Sequence, residues 1–169
     1  MRIQTLAASL ALAATTVLLS CSRTSDTAAA PDGATDTGTG SQENAVFHKG
    51  FYKEEATPSG NLRWAHQTAA VTLSVPTAGT YRLTFKPITI FTPPPTSIEV
   101  SVNGKPVGTV TAQSFDIATA PASSVEAPLQ AGANEITLKA NKEDARLTST
   151  DTRTAAFGLI LPIEAEPLP

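Results

Sequence analysis

Residues 98–105 read IEVSVNGK, and this short stretch decides the fold of the chain. Apolar side chains alternate with polar ones before the asparagine, which is the period of a strand with one buried face. The Asn103-Gly104 pair is favoured in two-residue hairpin turns, because both positions need a positive φ. A turn of that length pairs Val100 with Val107 on one face, so the pattern predicts a β-hairpin in this register.

The same alternation recurs along much of the chain after residue 46. It covers residues 71–75, 81–86, 136–140 and 157–163. Turn-forming residues separate these runs, as at 76–79 and 130–134. No convincing helical stripe is present, and residues 141–147 are suited to one short helical turn at most. Short strands at regular spacing predict an all-β fold, an antiparallel β-sandwich of jelly-roll-like form.

Two segments fit this pattern less well. Residues 88–91 predict the end of an apolar strand, which then runs into the stiff proline sequence at 93–95. Residues 115–124 predict an edge strand or a loop. Sandwiches carry function at their edges and ends, so both segments are candidate interaction surfaces.

The first 21 residues have the organisation of an export signal. A cationic start is followed by an apolar run at 6–19 and by small residues before Cys21. The sequence Leu-Leu-Ser-Cys at 18–21 resembles the bacterial lipobox. This resemblance implies a lipoprotein signal peptide at 1–20 and a lipidated Cys21 as the first residue of the mature protein. The alternatives are an ordinary secretory signal and a membrane anchor, although a spanning helix needs about 20 apolar residues.

The composition of the chain changes near residue 46. Residues 21–45 consist mainly of Ser, Thr, Ala, Gly, Asp and Pro and contain almost no large apolar side chain. Such a segment buries too little surface to offset the entropy lost on ordering, so we expect a disordered tether. We therefore expect a β-sandwich domain at 46–165 and a short C-terminal tail at 166–169.

Charge and cysteine content exclude several classes of function. From Val46 onward ten cations face eleven anions, so no basic surface for nucleic acid is expected. Cys21 is the only cysteine, which rules out an intramolecular disulfide and a cysteine-based zinc site. Membrane association is expected through the lipid on Cys21 alone. The lipobox resemblance implies a location in the cell envelope, and in the outer membrane of a cell with two membranes, because Ser22 rather than an aspartate follows the cysteine.

The sequence carries no recognisable catalytic motif. Its two histidines, His48 and His66, are not at a metal-ligand spacing, and no phosphate-binding or nucleophile motif is present. The adjacent carboxylates Glu54 and Glu55 point to opposite faces of a strand, so they are not suited to act as a pair. We expect a protein that is not an enzyme and that uses no cofactor.

Acidic residues in the last third of the chain are candidate calcium ligands. They are Glu143, Asp144 and Asp151. Sandwiches hold calcium with carboxylates and carbonyls at loop ends. A solvated acidic loop is the commoner role of such residues, and we expect no metal site.

Four short motifs occur in the order found in a known group of domains. They are GFYKEE at 50–55, RW at 63–64, VNG at 102–104 and DTR at 151–153. This order resembles the β-sandwich accessory domains of some bacterial glycosyltransferases and envelope proteins. The resemblance spans most of the chain from Val46 and implies a carbohydrate-binding-like fold, but no catalytic domain accompanies the motifs in this sequence.

One interpretation of these motifs is a structural clamp. Its members are Glu54, Glu55, Arg63 and Arg153. One carboxylate pairs with one guanidinium while Trp64 covers the pair from water, since the planar guanidinium suits bidentate and stacked contacts. This clamp would tie the first strand to the last.

The other interpretation is a sugar-binding platform. Trp64, together with Tyr52 or Phe51, would stack on a pyranose ring. Arg63 and Glu55 would hydrogen-bond the hydroxyl groups of the sugar.

Two functions follow from these interpretations. The first is a lipid-anchored, non-catalytic envelope protein that binds a cell-envelope glycan. The second is a structural or accessory subunit that docks on another envelope protein through the loop at Pro93 or through an edge at 88–91.

Overall fold

The alternating segments of the sequence form strands. The computed structural model describes residues 44–169, which form twelve β-strands and contain no helix. These strands are β1 (Ala45–Phe47), β2 (Glu55–Thr57), β3 (Gly60–Ala65), β4 (Thr68–Val75), β5 (Gly79–Thr89), β6 (Thr96–Val102), β7 (Lys105–Ala112), β8 (Ser123–Leu129), β9 (Gly132–Ala140), β10 (Ala145–Arg146), β11 (Thr154–Ala155) and β12 (Phe157–Pro167).

The strands form two antiparallel five-stranded sheets and one small hairpin. Sheet A has the order β1-β4-β9-β6-β7 and sheet B the order β2-β3-β12-β5-β8, while β10 pairs with β11. Both sheets mix strands from the two halves of the chain, in the order of a jelly roll. The all-β antiparallel sandwich expected from the sequence is confirmed.

The main core lies between the two sheets. Alternate residues of each strand point inward, so the period of two in the sequence becomes one buried face per sheet. Large members of this core are Val71, Leu73, Val100, Ile136 and Leu138 from sheet A and Tyr81, Leu83, Phe85, Phe157 and Leu159 from sheet B.

A second, smaller cluster forms separately from the main core. It consists of buried Leu62, Ile88 and Ile160, with Trp64, Ile117 and Ala120 packed against it. Its members on β3, β12 and β5 alternate with core residues, so the cluster lies on the outer face of sheet B. Because Ile117 and Ala120 belong to the connection between β7 and β8, that connection covers part of this face; we call residues 113–122 the covering loop.

The hairpin at β6 and β7 has a different register from the one that the sequence predicts. Its Asn103 and Gly104 adopt the expected positive φ values of 50° and 77°. A β-bulge next to Val100 shifts the pairing, so that Val100 lies opposite Gly108 and not Val107. The bulge brings a glycine to a crowded position, since a Cβ on Gly108 would lie 2.9 Å from a methyl carbon of Val125 in sheet B.

The pairing of sheet B bears on two other expectations. In the segment at 88–91, Ile88 and Thr89 end β5 and pair with β12 on one side, whereas β8 pairs with β5 only as far as Phe85; on that other side the N–H of Thr89 donates to Ser114 of the covering loop. Residues 115–122 form part of the covering loop and edge strand β8 begins at Ser123, in agreement with the edge strand or loop expected at 115–124. Exposed backbone edges in sheet B therefore belong to β2 and β8.

The boundaries of the folded domain differ by one or two residues from those expected. Strand β1 begins at Ala45, inside the segment predicted as tether, and β12 continues to Pro167, inside the predicted tail. The predicted signal peptide at 1–20, Cys21 and residues 21–43 of the tether lie outside the described residues. Within 44–169 there is no helix long and apolar enough to cross a membrane.

Short turns and long connections lie at opposite ends of the sandwich. The turn end carries the tight connections at 76–78, 103–104 and 130–131. The loop end carries the longer connections at 90–95, 113–122 and 141–156. The first strand begins and the last strand ends at the turn end, because Ala45 lies opposite Leu73 and Pro167 lies opposite Tyr81.

Candidate functional site

Tyr52 and Trp64 lie side by side on neighbouring stretches of chain. The backbone N–H of Tyr52 donates to the carbonyl oxygen of Trp64 at 2.9 Å, and Phe51 forms a β-bridge with Ala65. Phe51 points into the core, where its ring meets Phe47 edge-on at 5.0 Å. Tyr52 and Trp64 therefore face outward on sheet B, and both side chains are half-buried.

Arg153 binds two carboxylates beside Tyr52. Its Nε donates to both oxygens of Asp151, at 3.1 and 3.2 Å, and its Nη2 donates to Asp151 Oδ2 at 2.7 Å. Its Nη1 donates to Glu55 Oε1 on β2. Each of these three side chains keeps about a third of its surface in solvent.

These hydrogen bonds change the protonation equilibria of the pair. Hydrogen bonds from the side chain and then the backbone of Arg153 lower the pKa of Asp151. The same carboxylate, followed by that of Glu55, raises the pKa of Arg153. The ion pair of Asp151 and Arg153 is therefore charged throughout the physiological pH range.

Tyr52 connects this cluster to the segment before β12. The guanidinium carbon of Arg153 lies 5.5 Å from the centroid of the Tyr52 ring, within the range of a cation–π contact. The Tyr52 hydroxyl donates to the carbonyl oxygen of Thr154 at 2.9 Å. The ring is consequently held at both its face and its tip, and its orientation is restricted.

His66 and Asp144 continue the arrangement on another side of Tyr52. The rings of Tyr52 and His66 have centroids 4.9 Å apart and are tilted by 40°. One oxygen of Asp144 bonds His66 Nδ1, and the other accepts the backbone N–H of Gln67 at 2.6 Å. Asp144, His66, Tyr52, Arg153 and Glu55 therefore form one connected row of polar and aromatic contacts at the loop end.

The candidate calcium ligands have protein partners or are separated from one another. Asp144 bonds the turn between β3 and β4, Asp151 binds Arg153, and Glu143 is exposed. Over residues 44–169 no three His, Cys, Asp or Glu side chains lie close enough to hold a metal ion.

Arg63 is buried behind the site. Its side chain is 2% exposed, and its guanidinium carbon lies 4.7 Å from the centroid of the Phe47 ring. Its Nη1 donates to the carbonyl oxygen of Tyr52 at 3.1 Å, and its Nη2 lies 3.7 Å from Glu54 Oε2. Because it is buried, Arg63 cannot contact a ligand in solution, contrary to the sugar-binding role expected from the sequence.

The clamp residues form two ion pairs on different sides of sheet B. Glu55 pairs with Arg153 on the outer face, and Glu54 lies near buried Arg63. The aromatic rings over the guanidinium groups are those of Tyr52 and Phe47. Trp64, expected from the sequence to cover the pair, packs against Leu62, Ile88 and Ile160. Because its position on β3 alternates with that of Arg63, it lies on the opposite face of sheet B from the Glu54–Arg63 pair.

The covering loop carries an aromatic residue that sequence reasoning did not select. Phe115 is 67% exposed. The loop is tied to the end of β5 by a hydrogen bond from the N–H of Thr89 to the carbonyl oxygen of Ser114, at 3.0 Å. The only sequence signal for Phe115 is a single large apolar residue within a polar stretch, which does not distinguish a buried side chain from an exposed one.

No family model and no curated protein sequence matches the chain. Among solved structures, a family 35 carbohydrate binding module from Clostridium thermocellum is 15% identical with a TM-score of 0.48; the match covers 74% of this chain and 93% of that chain. A carbohydrate binding module of the lichenase from Cellvibrio mixtus, in complex with cellotriose, is 15% identical with a TM-score of 0.47; the match covers 71% and 88%. These values do not assign the chain to a family.

The site combines apolar ring faces with partly exposed charged groups. Two half-buried aromatic rings lie beside an arginine and two carboxylates, all partly accessible to water. Apolar ring faces next to fixed donors and acceptors suit a ligand that has both an apolar face and hydroxyl groups. Glu55, Asp151 and Arg153 are already engaged with one another, so they are better placed to orient a ligand than to exchange protons with it.

Proposed function

We propose that this protein is a non-catalytic, lipid-anchored protein of the cell envelope that binds a glycan. The observation that supports binding most strongly is the outward-facing pair of Tyr52 and Trp64 beside the Glu55–Arg153 ion pair. A pyranose ring has an apolar face that stacks on an aromatic ring and hydroxyl groups that bond to charged side chains.

The ion-pair cluster has hydrogen-bonding capacity left for a ligand. A guanidinium group has five N–H donors, and the contacts of Arg153 with Asp151 and Glu55 use three of them. Each carboxylate also has lone pairs that can accept hydroxyl protons. Because the cluster is fixed in advance, binding a sugar would cost little side-chain entropy.

The anchoring part of the proposal is supported by the lipobox-like sequence at 18–21. A lipid on Cys21, followed by a tether to residue 45, would hold the domain at a membrane surface, the outer membrane in a cell with two membranes. Mass spectrometry of protein from native membranes should show Cys21 as an acylated N-terminal residue. A Cys21→Ser variant should lose membrane association, and an uncleaved, unmodified N-terminus in the native protein would contradict this part.

The binding part can be tested with the fluorescence of Trp64, which is the only tryptophan of the chain. Full-length protein titrated with cell-envelope polysaccharides should show a saturable change in emission. Calorimetry of a Trp64→Ala variant should show binding weakened at least tenfold, the loss of about 1.4 kcal/mol of stacking and apolar contact. The matched control is Val46→Ala, which shortens an exposed apolar residue on sheet A and should bind normally.

Three outcomes would decide against glycan binding. If the Trp64→Ala variant kept full affinity, the binding site would not lie on the outer face of sheet B. A wild-type protein that binds no polysaccharide would overturn the function itself. Co-purification of a defined envelope protein, without any response to glycan, would favour the accessory-subunit function, for which the exposed residues 92–95 at the loop end offer a contact surface.

A further inference from the structure

We infer that the site takes an extended oligosaccharide chain and not a single sugar, with Phe115 as a second aromatic contact. This inference rests on the proposed function and concerns the same site. It follows from three features of the covering loop: the exposure of Phe115, the way the loop is held, and its distance from Trp64.

Phe115 is unusual in its exposure. Among the large apolar side chains of residues 44–169 only Phe115 and Val46 are exposed, with 67% and 58% of their surfaces in solvent. Val46 belongs to β1, at the turn end, whereas Phe115 lies at the loop end next to the proposed site. An exposed phenyl ring costs free energy in water, and contact with the apolar face of a ligand would recover part of that cost.

The covering loop holds Phe115 in a defined place. The side chain of Asp116 accepts hydrogen bonds from the N–H of Ala118 at 2.9 Å and from the hydroxyl of Thr119 at 3.0 Å. Ile117 packs on the cluster that contains Trp64, two residues after Phe115. The residues on both sides of Phe115 are therefore fixed, Ser114 by its hydrogen bond to Thr89 and Ile117 by its packing. Binding a ligand to the Phe115 ring would then cost little conformational entropy of the loop.

The distance between the aromatic residues determines the kind of ligand. Trp64 on β3 lies across from Gly158 on β12, which lies across from Ile88 on β5. The loop starts on the far side of β5, where Thr89 bonds Ser114. At the usual strand separation the backbones near Trp64 and Phe115 are about 10–14 Å apart, two to three strand spacings. A chain of several sugars spans this separation, whereas a single pyranose ring stacked on Trp64 covers only part of it.

The proposed contacts follow a line that crosses the strands of sheet B. Tyr52 and Arg153 lie on the other side of Trp64, next to the sheet edge at β2. Ile117 and Ala120 of the covering loop pack on the same cluster as Trp64, so the loop that carries Phe115 lies against this face of sheet B. The contacts therefore run in the order Arg153, Tyr52, Trp64, covering loop and Phe115.

The experiment compares ligands of different length. Full-length wild type and a Phe115→Ala variant are titrated with a disaccharide and with a hexasaccharide of the polysaccharide that the wild type binds. Wild type should bind the hexasaccharide more tightly than the disaccharide. Phe115→Ala should bind the disaccharide normally and the hexasaccharide about tenfold more weakly, because only the long ligand reaches residue 115. Val46→Ala should behave as wild type with both ligands.

The outcomes separate this inference from the proposed function. Equal wild-type affinity for both ligands, no effect of Phe115→Ala, or an equal loss on both ligands would overturn the inference. If Trp64→Ala still weakens binding at least tenfold in those cases, glycan binding itself stands. If the wild type binds no glycan, the proposed function fails and the inference with it. Melting temperatures of the two variants within a few degrees of wild type exclude a general loss of structure.

Discussion

Arg153 joins two segments of the chain that are distant in sequence, residues 151–153 and residues 52–55. It binds Asp151 beside it and Glu55 on β2, and it lies over the ring of Tyr52. Such bidentate, stacked contacts depend on the planar guanidinium group, and lysine would not reproduce them. These contacts attach the segment before β12 to β2, at one edge of sheet B. They also supply the charged groups of the proposed sugar site.

The lowered pKa of Asp151 predicts a pH dependence of stability. Because its pKa in the folded protein lies below its ordinary value of 3.8, the carboxylate stabilises the fold above that pH. This contribution is lost as the pH falls through the pKa of the folded state. An Asp151→Asn variant should therefore melt below wild type at neutral pH, and the difference should shrink below pH 3.8.

Melting temperatures recorded across the acid range check this prediction. A difference between Asp151→Asn and wild type that stays constant with pH would show that the carboxylate charge is not responsible. A Glu126→Asn variant is a suitable comparison, since Glu126 pairs with Arg82 on an exposed part of sheet B and its carboxylate is 59% exposed. Such surface pairs contribute little to stability, so this variant should melt close to wild type.

The set of residues around this cluster could be predicted from the sequence, but their contacts could not. The motifs at 50–55, 63–64 and 151–153 do meet near one edge of sheet B. Whether Glu54 or Glu55 faces Arg153 depends on which face of the strand each occupies, and that parity is set by pairing across the sheet. The exposure of Phe115 depends on how the covering loop packs, which no local pattern encodes.

At the scale of elements, β12 occupies the centre of sheet B next to the small outer cluster. Gly158 lies between Trp64 on β3 and Ile88 on β5. A Cβ at this position would lie 2.7 Å from Ile88 Cγ1 and 3.0 Å from Leu62 Cδ1. Since the neighbouring side chains close over the glycine, a larger residue would push them and the covering loop outward.

A Gly158→Ala variant should accordingly be destabilised by overpacking. We expect its free energy of unfolding to fall by about 1–3 kcal/mol, measured by urea denaturation. Gly79→Ala is the matched control, because the nearest atom to its added methyl group would be 3.8 Å away. Equal stability of the two variants would mean that Ile88 and Leu62 move aside for the added methyl group at little cost in free energy.

The strands that the sequence predicts well are those with strong alternation of large apolar residues, such as β4, β6 and β9. Strand β8 escapes prediction because its inward positions include Ala127, and Pro128 interrupts its polar face. Proline is tolerated there since β8 is an edge strand. The bulge near Val100 is equally hidden, because a single extra residue in a hairpin leaves the alternating pattern almost unchanged.

At the scale of the whole molecule, the sandwich depends on pairings between distant parts of the chain. Strand β12 lies between β3 and β5 and pairs with both, so without it these two strands would each lack a neighbour. A chain truncated after Ala156 should fail to fold, as judged by the loss of near-ultraviolet circular dichroism and by rapid proteolysis. A chain lacking only Pro169 should remain folded, and a folded truncation after Ala156 would contradict the central position of β12 in sheet B.

The turn end, where β1 begins and β12 finishes, has a consequence for display of the domain. A chain fastened anywhere upstream of Ala45 would have its point of attachment at one pole and its long connections at the other. Phe115, Trp64 and Arg153 would then lie on the side of the domain away from the point of attachment. Because the last strand exits at the attachment pole as well, a reporter protein fused after Pro169 would leave that side unobstructed.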